Sequence, residues 1–208
     1  MTPNEALAAF YARHRFQPGK RSWFVGVYVG CMLVPLPNIE ARHRYIRQHD
    51  LHHIVTGYGV GRIGEGEVSA WELGTGSMAT PTVGFMNLIA LSTGFALAPS
   101  RILAAFRRGL AGRNLYPADR RAALYRGDYP TLERLRESSV DVRPARSGTL
   151  LAGLEIATYI ALAAFIHAGL VLPAILLRTI TDFALGMNLI PKIGKPAARE
   201  AIEAARSP

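Results

Sequence analysis

Four side chains able to ligate a metal stand close together in this chain: His49, Asp50 and His53 in HDLHH, and Glu65 in the GEGEV that follows. Successive helical residues turn by about 100°, so His49, Asp50 and His53 share an arc of roughly 100°, the two histidines one turn apart. Gly57 is a helix stop, and Gly59, Gly61 and Gly64 make a loose loop in which the chain can reverse. A second helix opening at Glu65 then returns antiparallel and brings its carboxylate near His53. Two imidazoles with two carboxylates suit zinc, with non-haem iron or manganese as the alternatives. Glu65 and Glu67 lie about 200° apart on a helix, so Glu65 is the predicted ligand and Glu67 is predicted to be solvated. His52 points about 160° away from Asp50 and is not expected to share the metal.

The elements that must position these residues read as helices. Thr2, Pro3 and Glu5 form a capping box that opens a helix to about Arg15. The apolar stretch from Trp23 to Val34 follows Lys20 and Arg21 like a signal core, but it begins too far in and runs into Pro35 and Pro37, so it reads as a buried or interfacial helix. Asn38 is the expected N-cap of the histidine helix. Thr80 and Pro81 open another apolar helix, which fits either core or the lining of a lipid channel. Residues 100–111 form a basic amphipathic helix, suited to a membrane surface or to a solvated arginine face. After a polar linker from Ser138 to Ser147, residues 149–177 are almost wholly apolar, and Ile156 to Leu177 is long enough to span a bilayer. Pro173, several glycines and a short connection to the next helix also fit a buried or monotopic hairpin. The fold class is therefore all-α: residues 1–147 form a multi-helix metal-binding domain, with the site on a helix-loop-helix hairpin, and residues 148–208 form an apolar helical extension.

The spacing His-Asp-x-x-His, eleven residues and then Glu, filled by His49, Asp50, His53 and Glu65, resembles the signature of the ubiquinone-biosynthesis family whose type member is the fourth Coq protein of yeast. Gly57, Gly64 before Glu65, and Glu72 after Trp71 also fit, whereas Glu67 and Ser69 depart from the pattern. The likeness runs from about Arg42 to about Pro144. It implies a metal-dependent carboxy-lyase acting on a polyprenylated hydroxybenzoate ring, removing the C1 carboxyl group, with hydroxylation there in an oxidative version. His49, Asp50, His53, Glu65 and Glu72 are the implied catalytic set; Glu72, two turns beyond Glu65, is expected beside His49 or His43, supporting the ligands. The implied partners are an isoprenoid lipid, a membrane surface, other ubiquinone-biosynthesis enzymes and a second copy of the chain as a homodimer. The implied location is a membrane facing the bacterial cytoplasm or the mitochondrial matrix. A non-catalytic carrier of prenyl lipid, or a scaffold for a biosynthetic complex, has the same signature.

Composition narrows the field. Half of the 208 residues are hydrophobic, enough for a sizeable core. Cys31 is the single cysteine, which excludes a cysteine-based zinc site and an internal disulfide. The net charge of +9 attracts anionic surfaces, but no zinc finger, helix-turn-helix or aromatic-basic RNA motif accompanies it, so nucleic acid is not an expected partner. A desaturase reading of HDLHH requires further histidine boxes, and only His14, His43 and His167 remain. A zinc peptidase requires Glu where Asp50 stands. The glycine-rich GYGVGRIG follows a helix and lacks the lysine of a phosphate loop, so it reads as a turn.

Overall fold

The computed structural model describes residues 1–16, 23–29 and 32–187. Among them are eight α-helices, a two-stranded hairpin and a single 3-10 turn at Ser77–Ala79, an all-α architecture. Helix α1, Pro3–His14, begins with the expected capping box: Thr2 N–H donates to Glu5 Oε2 at 2.8 Å, and Glu5 N–H donates to Thr2 Oγ1 at 3.3 Å.

The stretch expected to be helical after Trp23 is instead a hairpin. Strand β1, Phe24–Val29, pairs antiparallel with β2, Met32–Pro37, from Phe24 opposite Pro37 to Val29 opposite Met32. The physical reason lies in FVGVYV and MLVPLP: β-branched and aromatic residues favour extended backbone, and Pro35 and Pro37 lack the N–H a helix needs. A two-stranded ribbon has only edges, where proline is tolerated. Asn38 N–H then donates to the Trp23 carbonyl at 2.9 Å and prolongs the ribbon. Helix α2, Glu40–Thr56, therefore starts one residue later than expected, with Ile39 as N-cap and Asn38 Oδ1 accepting from Arg42 Nη1 at 3.3 Å.

Gly57 ends α2 in the left-handed region at φ 81°, its N–H donating to the His53 carbonyl. Helix α3, Arg62–Gly74, follows after a short loop. A Cβ on Gly64 would collide with the Gly59 carbonyl oxygen, so the tightness of this reversal requires glycine there. Helices α4, Pro81–Leu97, and α5, Pro99–Leu110, enclose α3, whose residues from Gly66 to Gly74 are all buried. Gly66 on α3 and Gly94 on α4 let these two backbones touch: a Cβ on Gly66 would lie 2.6 Å from Gly94 Cα.

Two apolar clusters hold the elements. One joins Leu73 of α3, Leu88 and Leu91 of α4, Ile102, Phe106 and Leu110 of α5, and Ala152 and Ile156 of the last helix. The other joins Leu7 of α1 and Leu51 and Val55 of α2 to Leu115, Leu124 and Leu135, the last two on α6, Ala118–Arg126, and α7, Leu132–Glu137. Helix α4 is thus mainly core, and the apolar face of α5 is spent on the core, leaving Arg101, Ala104 and Arg107 exposed after Ser100.

Helix α8 runs over Thr149–Gly186 with Pro173 inside it, so the chain makes no hairpin turn there. A single missing N–H is tolerated where the flanking leucines and isoleucines sustain the helix on both sides. Thr149–Ile180 is long and apolar enough to cross a membrane, and its 18-residue apolar window has a mean hydropathy of 2.4 and is 6% buried. By internal contacts the chain divides into Met1–Val171 and Leu172–Pro208. Residues 188–208 of the expected extension lie outside the described residues.

Candidate metal centre

The site sits where the end of α2 meets the start of α3. His49 and His53 project from one stripe of α2, their rings 4.9 Å apart, and Glu65 enters from the first turn of α3. Glu65 reaches both rings: Oε2 lies 3.3 Å from His49 Nε2, and Oε1 lies 3.4 Å from His53 Nε2. Ligand atoms around a tetrahedral zinc with bonds near 2.05 Å stand about 3.3 Å apart, so these separations suit a shared ion. One ligand atom from each of His49, His53 and Glu65 falls within 4.8 Å of the others, and this group can hold a metal ion.

The opposite ring edges explain why these nitrogens face inward. His53 Nδ1 donates to the Tyr58 carbonyl at 3.2 Å, an acceptor created by the left-handed turn at Gly57. His49 Nδ1 donates to Glu72 Oε1 at 3.0 Å. With each Nδ1 carrying a proton, each Nε2 is the atom left for a metal, the arrangement that acceptors behind ligating histidines impose.

Glu72 is the hub behind the site. Fully buried on α3, its Oε1 also accepts from His52 Nδ1 at 2.7 Å and from the Tyr116 hydroxyl at 2.7 Å. His52 Nε2 in turn accepts from the Leu115 N–H at 2.9 Å, so both of its nitrogens are committed and the ring is neutral. Burial lowers the His52 ring below its ordinary value and outweighs the pull of Glu72. Burial also disfavours the His49 cation, yet Glu72 and Glu65 together raise that ring well above its ordinary value. Burial pushes both carboxylates up, but the histidines outweigh it, bringing Glu65 down to about 2 and holding Glu72 well below the carboxylate range. Without a metal, His49 is thus an imidazolium between two carboxylates, and a metal at Nε2 takes the place of a proton.

Asp50 stands outside the three-residue group. Nearly buried, it accepts from the Tyr11 hydroxyl at 2.9 Å, and burial raises its carboxyl against the opposing influence of His49. Glu67, expected in solvent, is buried: Arg101 Nε and Nη2 donate to its two oxygens at 2.8 and 2.7 Å. The reason is the enclosure of α3, which leaves protein rather than water opposite Glu65. Glu72 contacts His49, one of the two neighbours expected for it, and the other, His43, is not among its hydrogen-bond partners.

Several contributors carry no local sequence signal. Tyr11 comes from α1, and Phe10 beside it stacks on His53 with centroids 6.0 Å apart. Tyr116 lies 44 residues beyond Glu72. Arg108 of α5 donates to the Thr56 carbonyl at 2.9 Å and closes the end of the histidine helix. No protein-family model, curated protein or solved structure matches this chain, so the geometry of the site carries the functional reading.

Proposed function

We propose that this chain is a zinc-dependent protein of ubiquinone biosynthesis that removes the C1 carboxyl group of a polyprenylated hydroxybenzoate ring at a membrane. The observation that supports it most is the convergence of two Nε2 atoms and a carboxylate while both Nδ1 positions are engaged behind them. The spacing of His49, Asp50, His53 and Glu65, which resembles the family signature, supplies the substrate class.

His49, His53 and Glu65 would hold a divalent ion, which would supply a Lewis acid for charge developing on substrate oxygens. Glu72 fixes the His49 tautomer, and the Tyr58 carbonyl fixes that of His53. Asp50 and Tyr11 form a hydrogen-bonded pair next to the ligands and act as the proton source. In the reaction the bond from C1 to the carboxyl carbon breaks, carbon dioxide leaves, and C1 gains a proton from that pair. An oxidative version would need dioxygen, a two-electron reductant and a redox-active metal such as iron, with one oxygen atom ending on C1 and the other in water. The exposed apolar length of α8 supports membrane association, where a prenylated substrate resides.

The test uses purified full-length protein of measured metal content and a prenylated hydroxybenzoate isotopically labelled in its carboxyl group. Metal-dependent release of labelled carbon dioxide is the expected result. Tight binding of the lipid with its carboxyl intact assigns the carrier role instead, and a protein that takes up neither metal nor lipid overturns both readings.

A further inference from the structure

The histidine helix carries a cation that the metal centre leaves unused. Arg42 precedes His49 by seven residues on α2, two turns away and about 20° round the helix, so it shares the stripe of His49 and His53. It is half-buried, and its guanidinium makes one hydrogen bond among the described residues, to the neutral Asn38 Oδ1 at 3.3 Å. A guanidinium has five N–H donors in a planar fork matched to a carboxylate. Asp50 and Glu65 are near enough to act on Arg42 through their charge, the largest influence on it being burial. Neither pairs with it directly: Asp50 accepts from Tyr11, and Glu65 faces the two histidines.

The charge of the site gives this cation a task. With a divalent ion bound, the histidines neutral and Asp50 holding its proton, the ion offsets Glu65 and Glu72, and Arg42 adds a net positive charge on the same stripe of α2. Without it the site is net neutral and has no electrostatic preference for an organic acid over its amide. A partly desolvated cation with no carboxylate partner among the described residues is itself costly, and an incoming carboxylate relieves that cost with charge-assisted bonds.

We propose that Arg42 is the substrate-binding residue that receives the carboxylate of an aromatic acid at the metal centre. The proposal rests on the functional reading above for its aromatic substrate class and goes beyond it in naming the residue that selects the acid.

The experiment compares 4-hydroxybenzoate with 4-hydroxybenzamide, the same ring without the negative charge. Binding is measured calorimetrically on detergent-solubilised full-length protein, zinc-loaded and metal-free, with zinc content determined on each sample. The wild type is expected to favour the acid. In Arg42→Gln, affinity for the acid falls at least about tenfold, the loss expected for a charge-assisted pair, while amide affinity, zinc content and the circular dichroism spectrum stay unchanged. Arg42→Lys keeps the charge and loses the fork, so it retains a weaker preference for the acid; it also serves as the folded variant should the glutamine form misfold. A wild type that binds both probes equally, or neither, overturns the proposal, as does an Arg42→Gln or Arg42→Lys protein that keeps the full preference. A protein that takes up no zinc refutes the metal reading, and the comparison of acid with amide on that protein still decides the role of Arg42.

Discussion

Helices α3 and α8 handle polar and apolar surface in opposite senses. On α3, Glu67, Ser69 and Glu72 are buried, and both glutamates have their charge answered by named partners. On α8, Leu150, Leu151, Leu154 and Phe165 are exposed, Phe165 by 79%, although the same helix places Ala152, Ile156 and Ala163 in the core. Burying ionised groups is unfavourable unless each meets a partner, and exposing hydrocarbon to water is unfavourable unless something other than water covers it. The contrast teaches that a residue's cost is set by its surroundings: α3 brings its partners within the fold, and α8 has the length and hydropathy to meet a bilayer.

The contrast can be broken most severely at the metal ligands. His53→Ala and Glu65→Gln are each expected to lose most of the bound metal, measured by elemental analysis on folded protein, because each removes one atom of a three-residue group. His52→Ala should keep near-stoichiometric metal, since both its nitrogens are engaged elsewhere; a metal-free His52→Ala protein would overturn this division of labour. Asp50→Asn sharpens the assignment: loss of metal shows that Asp50 leaves Tyr11 to join the ligands, and full retention keeps it in the proton-holding role.

Next in size is Glu72→Ala, which strips His49, His52 and Tyr116 of a common acceptor. A loss of about 3–5 kcal/mol in unfolding free energy is expected, the range for breaking a buried charged pair, and urea denaturation measures it. A loss under about 1 kcal/mol, the size of an ordinary hydrogen bond, would mean that the network is not the support of the site.

On the apolar side, Phe165→Glu removes hydrocarbon from the exposed face of α8 and should weaken partitioning into lipid vesicles by about 2 kcal/mol with metal content unchanged. High salt should release only part of the wild type, because screening removes the electrostatic attraction and not the burial. Complete release by salt, or equal partitioning of the variant, would detach α8 from membrane binding. The smallest effect belongs to the capping box, where Thr2→Ala should cost about 1 kcal/mol in thermal or urea unfolding and leave both metal and membrane binding alone.

What the chain order alone determined is local. The capping box at Thr2, the stop at Gly57 and the one-turn spacing of His49 and His53 each depend on a few neighbouring residues, and helix geometry turns them directly into positions. The return of Glu65 to the histidines was legible for the same reason, the reversal being short and glycine-rich. Tertiary structure decided whatever depended on the other side of a contact. The apolar run after Trp23 suits helix or strand by hydrophobicity, and pairing between its two halves selected the hairpin. Glu67 faces away from the metal group, but burial follows from α5 lying there with Arg101, which no helical wheel of α3 contains. Tyr11, Tyr116 and the N–H of Leu115 reach the site from distant parts of the chain, engaging Asp50, the Oε1 of Glu72 and the Nε2 of His52, and so bear on which of the metal-capable side chains remain free to bind. Helical spacing proposes ligands, and the hydrogen bonds that other elements supply decide among them, because a ring nitrogen that carries a proton or already accepts one is closed to a metal.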